Sequence, residues 1–207
     1  WGHVDMLDKL DDKLSFIVKE ATKRLNIKLR ILDKRRFGEE VRMFLDIYNK
    51  SLVGTWGFVP LSSQEIDHFA ASLRQLIVPE MTAVAEVDGK PIGAAFGLLD
   101  YNPRIREIDG RLFPFGFVKL LWNKRAITRV RLVSTNVVPE YQKWGIGLAL
   151  LYRLVPDILE WGLQEAELSW VLESNKLSRG TIERAGAHLE KTYRMYDCDC
   201  SQNDNGA

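Results

Sequence analysis

Apolar residues change their spacing along the chain, and each change marks an element. Leu7, Leu10, Leu14, Ile17, Ala21 and Leu25 recur every three or four residues, which predicts an amphipathic helix over Asp5–Leu25. From Ile27 to Leu32 apolar and basic side chains alternate, the period of a half-buried strand. Helical spacing returns through Val41, Phe44, Leu45 and Tyr48, so a helix is expected over Phe37–Tyr48. A loop from Asn49 to Leu61 follows. Ser62, with Glu65 three residues on, then forms the reciprocal cap of a helix reaching about Ile77. Thr82–Val87 and Pro91–Leu99 flank Asp88-Gly89-Lys90, a hairpin signal.

Asn102–Pro114 is turn-rich and charged, Phe115–Trp122 reads as a short helix, and Ile127–Val138 as a strand. A glycine-containing turn leads into a helix from Ile146 to about Trp161, where Pro156 should kink it near Tyr152 or stop it early. Glu167–Leu172 is expected as a strand, Leu177–Ala185 as a helix and His188–Tyr196 as a last strand. After the leading helix the order is β-α-α-β-β-β-α-β-α-β. That order implies an α/β class of the α+β mixed-sheet kind, with helices flanking the sheet. Residues 1–26 read as a helix needing a cover from the main domain or from an upstream segment. Residues 27–197 read as the domain, and 198–207 as a polar tail. The chain opens on Trp1 rather than Met, which fits an upstream segment.

Chemistry concentrates in Val137-Val138-Pro139-Glu140-Tyr141-Gln142-Lys143-Trp144-Gly145-Ile146-Gly147. A strand runs into a turn with two glycines, and an apolar helix starts. Gly145 and Gly147 leave backbone N–H groups uncovered where the positive end of the helix converges, a cradle for a pyrophosphate. No Gly-Lys-Ser/Thr closes the motif, so it is not a P-loop, and the glycine pattern is not that of a dinucleotide fold.

Gln142-x-x-Gly145-x-Gly147 after a strand resembles the acyl-CoA pyrophosphate loop of the GNAT acyltransferases, with Asn175 opening another helix further on. The likeness extends over Ile27–Tyr196 and implies a GNAT acyl-CoA N-acyltransferase fold with an extra N-terminal helix. It implies that Val137 and Val138 bond the pantetheine arm as an added strand. The N–H groups of Gln142, Lys143, Trp144, Gly145, Ile146, Gly147 and Leu148 would hold the pyrophosphate, and Asn175 would orient the pantetheine. Backbone donors near Val138 would polarise the thioester carbonyl. Acetyl-CoA or another acyl-CoA is the implied co-substrate, and a small-molecule or peptide amine the acceptor. The implied activity is N-acyl transfer by direct attack, most simply N-acetylation. Transfer of a long chain and a degenerate acyl-CoA-binding scaffold are the alternatives. Trp56 and Phe58, between the first two domain helices, fall where the likeness implies a substrate wall. Trp56–Pro60, Ser169–Glu173 and Lys191–Arg194 also resemble three motifs of one little-characterised branch of that family.

Two family features are missing. The tyrosine that protonates the departing thiolate is replaced by Ile182, and Ala126–Pro139 carries no acidic residue. Glu173 is the carboxylate nearest in sequence to the expected cleft, and is nominated as base or as partner of the substrate ammonium. Ser134, Thr135, Tyr141 and Tyr193 are further candidates.

With 29 basic and 28 acidic residues in 207, net charge +1 and 46% hydrophobic residues, the chain is neither disordered nor able to hold a polyanion by global charge. Nucleic acid is therefore not expected as a partner, while a homodimer or an upstream-domain contact is open. Lys119, Lys124, Arg125, Arg129 and Arg131 nevertheless form a local run without acids, which reads as CoA-facing or as the solvent side of a strand. Phe113, Phe115, Phe117 and Trp122 read as core, or as the lining of an acyl pocket. Cys198 and Cys200 are the only cysteines, and His3, His68 and His188 share no ligand spacing, so no metal is expected and a cytoplasmic protein is. No apolar run is long enough to span a bilayer.

Overall fold

The computed structural model describes residues 1–4, 12–55, 57–184 and 186–196. Among them are strands β1 (Gly2–His3), β2 (Lys28–Arg30), β3 (Thr82–Val87), β4 (Lys90–Leu99), β5 (Arg129–Val137) and β6 (Glu165–Leu168). The helices are α1 (Asp12–Arg24), α2 (Phe37–Ser51), α3 (Ser63–Leu73), α4 (Asn102–Glu107), α5 (Gly116–Leu121), α6 (Ile146–Trp161) and α7 (Lys176–Arg184). The strands form one sheet in the order β1-β6-β5-β4-β3-β2, antiparallel except where β5 meets β6. The mixed sheet flanked by helices is the fold class expected from the order of elements.

Helix α6 covers one face of the sheet, and α2 with α3 packs on the other. Ile146, Leu150, Leu154 and Ile158 lie four apart along α6 and are at most 1% exposed. Each such side chain contributes about 2 kcal/mol by leaving water. This stripe carries the helix on through Pro156 to Trp161, so the early stop does not occur. The proline is exposed and stands off the buried stripe, so water can take the carbonyl it orphans. Helix α1 packs beside α6 with Val18 and Ala21 buried, so a stripe that needed a cover finds one inside this chain.

The last strand is not formed. Residues 187–196 have no regular structure, and His188 docks on the start of the chain, its N–H and C=O bonded to the carbonyl and ammonium of Trp1 at 3.0 and 3.1 Å. The place beside β6 is taken instead by β1, with Gly2 opposite Ala166. Strand β6 also ends earlier than expected, at Leu168. On the far side of the sheet, Arg30 ties β2 to Glu40 of α2 at 2.8 Å and to Glu86 of β3 at 2.7 Å, which neutralises a carboxylate only 4% exposed.

Candidate active site

Strand β5 pairs with β6 from Arg129 to Leu132 and then runs on without it to Val137. Five residues, about 16 Å of strand, therefore have β4 on one flank and no strand on the other. The divergence coincides with a bulge: Phe96 lies opposite Ser134 and Gly97 opposite Leu132, so Val133 is the extra residue. Val138 donates its N–H to Ile92 O at 2.9 Å. By alternation Ser134 and Asn136 also face β4, and Thr135 and Val137 turn their N–H and C=O groups to the open flank. Of the two residues expected to bond an extended ligand, Val137 faces the opening. Val138 does not: its N–H is spent on Ile92 and its carbonyl accepts from Tyr141 N–H at 3.0 Å. Its own N–H is therefore not free for a thioester carbonyl, which leaves that role to other backbone donors near it.

Beyond Val137 the chain makes a 3₁₀ turn at Pro139–Tyr141 and two left-handed steps, Lys143 at φ 69° and Gly145 at φ 79°, before α6 begins. The contrast between two helix starts is informative. Helix α3 closes its N-terminus with Ser62 and Glu65, the expected capping box. No side chain caps α6, and its first turn has no acid. The N–H groups of Ile146, Gly147 and Leu148 precede the first helical bond, Ala149 N–H to Gly145 O, and form an electropositive end suited to an anion. A β-carbon on Gly147 would meet only Thr135 Cγ2, at an ordinary 3.6 Å. Gln142 aims its amide away from this end, donating to Val137 O at 3.1 Å and Ser51 O at 3.3 Å. It ties the turn to β5 and α2.

The bulge has a second effect. Before it Val130 and Leu132 point into the main core; after it Asn136 points toward α2. There Asn136 is buried, with Oδ1 3.0 Å from Ser51 Oγ and Nδ2 donating to Ser134 Oγ. This polar group beside the open flank was not singled out from the sequence, apart from Ser134. The available signal was an asparagine within an otherwise apolar strand, but its direction depends on a bulge that no residue type announces. The loop above it is clamped where Asn49 makes two 2.9 Å bonds to the Leu61 backbone, and Phe58 packs edge-on against Tyr48 with ring centres 5.6 Å apart. Trp56 lies outside the described residues.

A sequence model of the acetyltransferase (GNAT) family matches residues 41–187. The chain belongs to the GNAT family. It is 33% identical over 180 residues to Protein YghO of Escherichia coli K12, and 32% identical over 175 residues to the bacterial ceramide synthase of Caulobacter vibrioides. These alignments take in 84% and 82% of this chain but 46% of each relative, so the chain spans about half the length of the proteins it matches. Among solved structures, an aminoglycoside N-acetyltransferase, AAC(6')-Iy, in complex with CoA superposes with a TM-score of 0.53 at 15% identity, covering 84% of this chain and 97% of that one. The acetyltransferase YncA of Salmonella typhimurium with acetyl-CoA gives 0.50 at 20% identity, over 77% and 78%. These likenesses show the GNAT fold.

Other nominated residues have partners of their own. Glu173 is 68% exposed and meets Arg194 at 2.6 Å, joining two of the branch-like motifs, and no described neighbour steers it toward β5. Asn175 immediately precedes α7 and accepts from Ser178 N–H at 3.1 Å through Oδ1. Three members of the basic run have partners away from the turn at Gly145. Arg129 pairs with Glu165 at 2.7 Å and Arg131 with Glu167 at 2.9 Å, and Arg125 lies over the Trp161 ring at 4.0 Å. Arg129 is near Gly145 in sequence but starts β5, about 26 Å along the strand from Val137. Among the described residues no group of three His, Cys, Asp or Glu could hold a metal.

Proposed function

We propose that this chain is an acyl-CoA-dependent N-acyltransferase in which an amine attacks the thioester directly within a ternary complex. The observation that carries this reading is the continuity of the open flank of β5 with the uncapped start of α6. An extended pantetheine arm lying along Thr135 and Val137 would bring its pyrophosphate to the N–H groups of Ile146, Gly147 and Leu148. Asn175, ahead of α7, is the second contact we assign to that arm. The amine nitrogen bonds to the acyl carbon, the carbon–sulfur bond breaks, and CoA leaves as a thiol with the proton the amine gives up. Holding the two reactants together supplies much of the acceleration. Acyl-CoA is a cytoplasmic metabolite, and we place the reaction there.

A long-chain amine is the second reading of the acceptor. It is favoured by the 32% identity to a bacterial ceramide synthase, since a ceramide is an N-acylated long-chain amine. Incubation with acetyl-CoA and longer acyl-CoAs over small and long-chain amines, followed by free thiol, tests both. Turnover confined to small amines rejects the long-chain acceptor. Tight CoA binding without turnover on any amine leaves only an acyl-CoA-binding scaffold.

A further inference from the structure

Residues 101–128 join β4 to β5 by an excursion built on α4 and α5, and it is firmly attached. The Arg104 guanidinium donates to the carbonyls of Leu120, Trp122 and Asn123, and Lys124 Nζ donates to Gln75 O. At Gly116 any β-carbon would overlap the Arg111 carbonyl. Thus pinned, the excursion turns its apolar side chains outward. Phe113 is 82%, Phe115 76% and Trp122 73% exposed, with Ile105, Leu112 and Phe117 exposed as well. This reverses the expectation that the aromatic segment is core. Contiguous apolar surface of this kind marks an interaction site.

Charge identifies the partner. The excursion carries six cations against Glu107 and Asp109. Hydrogen bonds to carbonyls and stacking on a ring occupy donors without removing charge. Lys119 alone among the six meets a carboxylate among the described residues, Glu107 at 3.5 Å, while Arg106 and Arg111 have no ion pair there. A cleft of about 710 Å³ opens between α4, α5 and the start of β5, lined by Phe115, Val118 and Trp122 together with Arg104 and Lys119. Rings that seat at headgroup depth beside cations that meet lipid phosphates are the composition of an interfacial membrane anchor. No described helix is long and apolar enough to cross a bilayer, so the contact is peripheral.

We propose that the 101–128 excursion docks the protein on the surface of an anionic bilayer, its rings entering the headgroup layer and Arg106, Arg111 and Lys119 facing lipid phosphate. The proposal rests on this surface alone and stands whichever amine the distant turn at Gly145 serves.

Cosedimentation with phosphatidylcholine vesicles, with and without phosphatidylglycerol and at low and high salt, tests it. The protein should pellet with anionic vesicles at low salt, at least tenfold more than with neutral ones. At about fivefold per cation, Arg106→Glu with Arg111→Glu should cut that partition by about 25-fold or more, and added salt should mimic the change. Phe113→Ser with Trp122→Ser should lose binding at every salt concentration with an unaltered melting curve, since both side chains are exposed. Failure of the unaltered protein to pellet with anionic vesicles overturns the proposal, as does pelleting of both variants to the same extent as the unaltered protein. A dimer in sedimentation velocity that Phe113→Ser dissolves, without vesicle binding, overturns it in favour of a protein interface.

Discussion

Ile17 Cγ2 stands 2.8 Å from the point where a β-carbon on Gly145 would project, so α1 closes directly over the turn that starts α6. Gly145→Ala therefore meets two penalties, the left-handed backbone at φ 79° and the overlap with Ile17. The first alone costs about 1–2 kcal/mol. CoA affinity by calorimetry should fall at least tenfold. Ile17→Ala in the same chain should recover part of that loss, because it relieves the overlap and not the backbone. Gly147→Ala, facing only Thr135 at 3.6 Å, should change affinity by less than about threefold.

Gln142 is a positioning residue. Its amide joins Val137 O and Ser51 O, so Gln142→Ala should lower stability by about 1 kcal/mol and weaken CoA binding as the turn loosens. Gln142→Glu should be worse, since a carboxylate would face two carbonyl oxygens. Melting curves and calorimetry on the pair distinguish this from direct contact with phosphate, where alanine would reduce affinity without touching stability.

Glu173 and Arg194 share their charges in solvent, which is a poor setting for a general base. Glu173→Gln should keep turnover within about threefold and leave the pH profile of kcat/KM in place. A displaced acidic limb in that profile would instead make Glu173 the base. An exposed pair of this kind contributes at most about 1 kcal/mol, so Arg194→Ala should fold normally.

Acid should loosen α3. The Ser62 N–H and hydroxyl, 2.8 and 2.7 Å from the Glu65 carboxylate, hold that carboxyl below the ordinary glutamate range. The N–H of Arg35, with Arg36 nearby, does the same for Asp33. A carboxyl depressed by folding adds stability that is complete above its unfolded pKa, about 4.3 for glutamate, and is lost as pH falls through the folded value. The melting temperature should decline below about pH 4. Glu65→Gln should lower it by a few degrees at neutral pH and flatten part of that decline.

Period and punctuation made most elements readable. The hairpin turn has Asp88 and Gly89 at φ 50° and 73°, as its residues require, and Ser62 with Glu65 announced α3 correctly. The turn at Gly145 was legible because glycines mark backbone that other residues rarely adopt. What escaped depends on distant partners. Val133 looks like any strand residue, yet its bulge decides that Asn136 faces α2 and that Val138 is sealed against β4. Pro156 looked like a terminus because its exposed setting is fixed by the buried stripe around it. The cations ahead of Val137 looked close to the turn because sequence distance does not reveal the length of a strand.

Among the described residues the outer strands of the sheet are both short, two residues of β1 at one end and three of β2 at the other. Proteins blunt such margins to prevent strand-to-strand aggregation. On the proposed mode of acyl-CoA binding, that protection also acts as a sorting device. An extended molecule looking for backbone partners finds little purchase on the rim and a longer run beside β5, where Thr135 and Val137 present theirs. Shape thereby directs an incoming chain to the interior of the sheet before any side chain has been read.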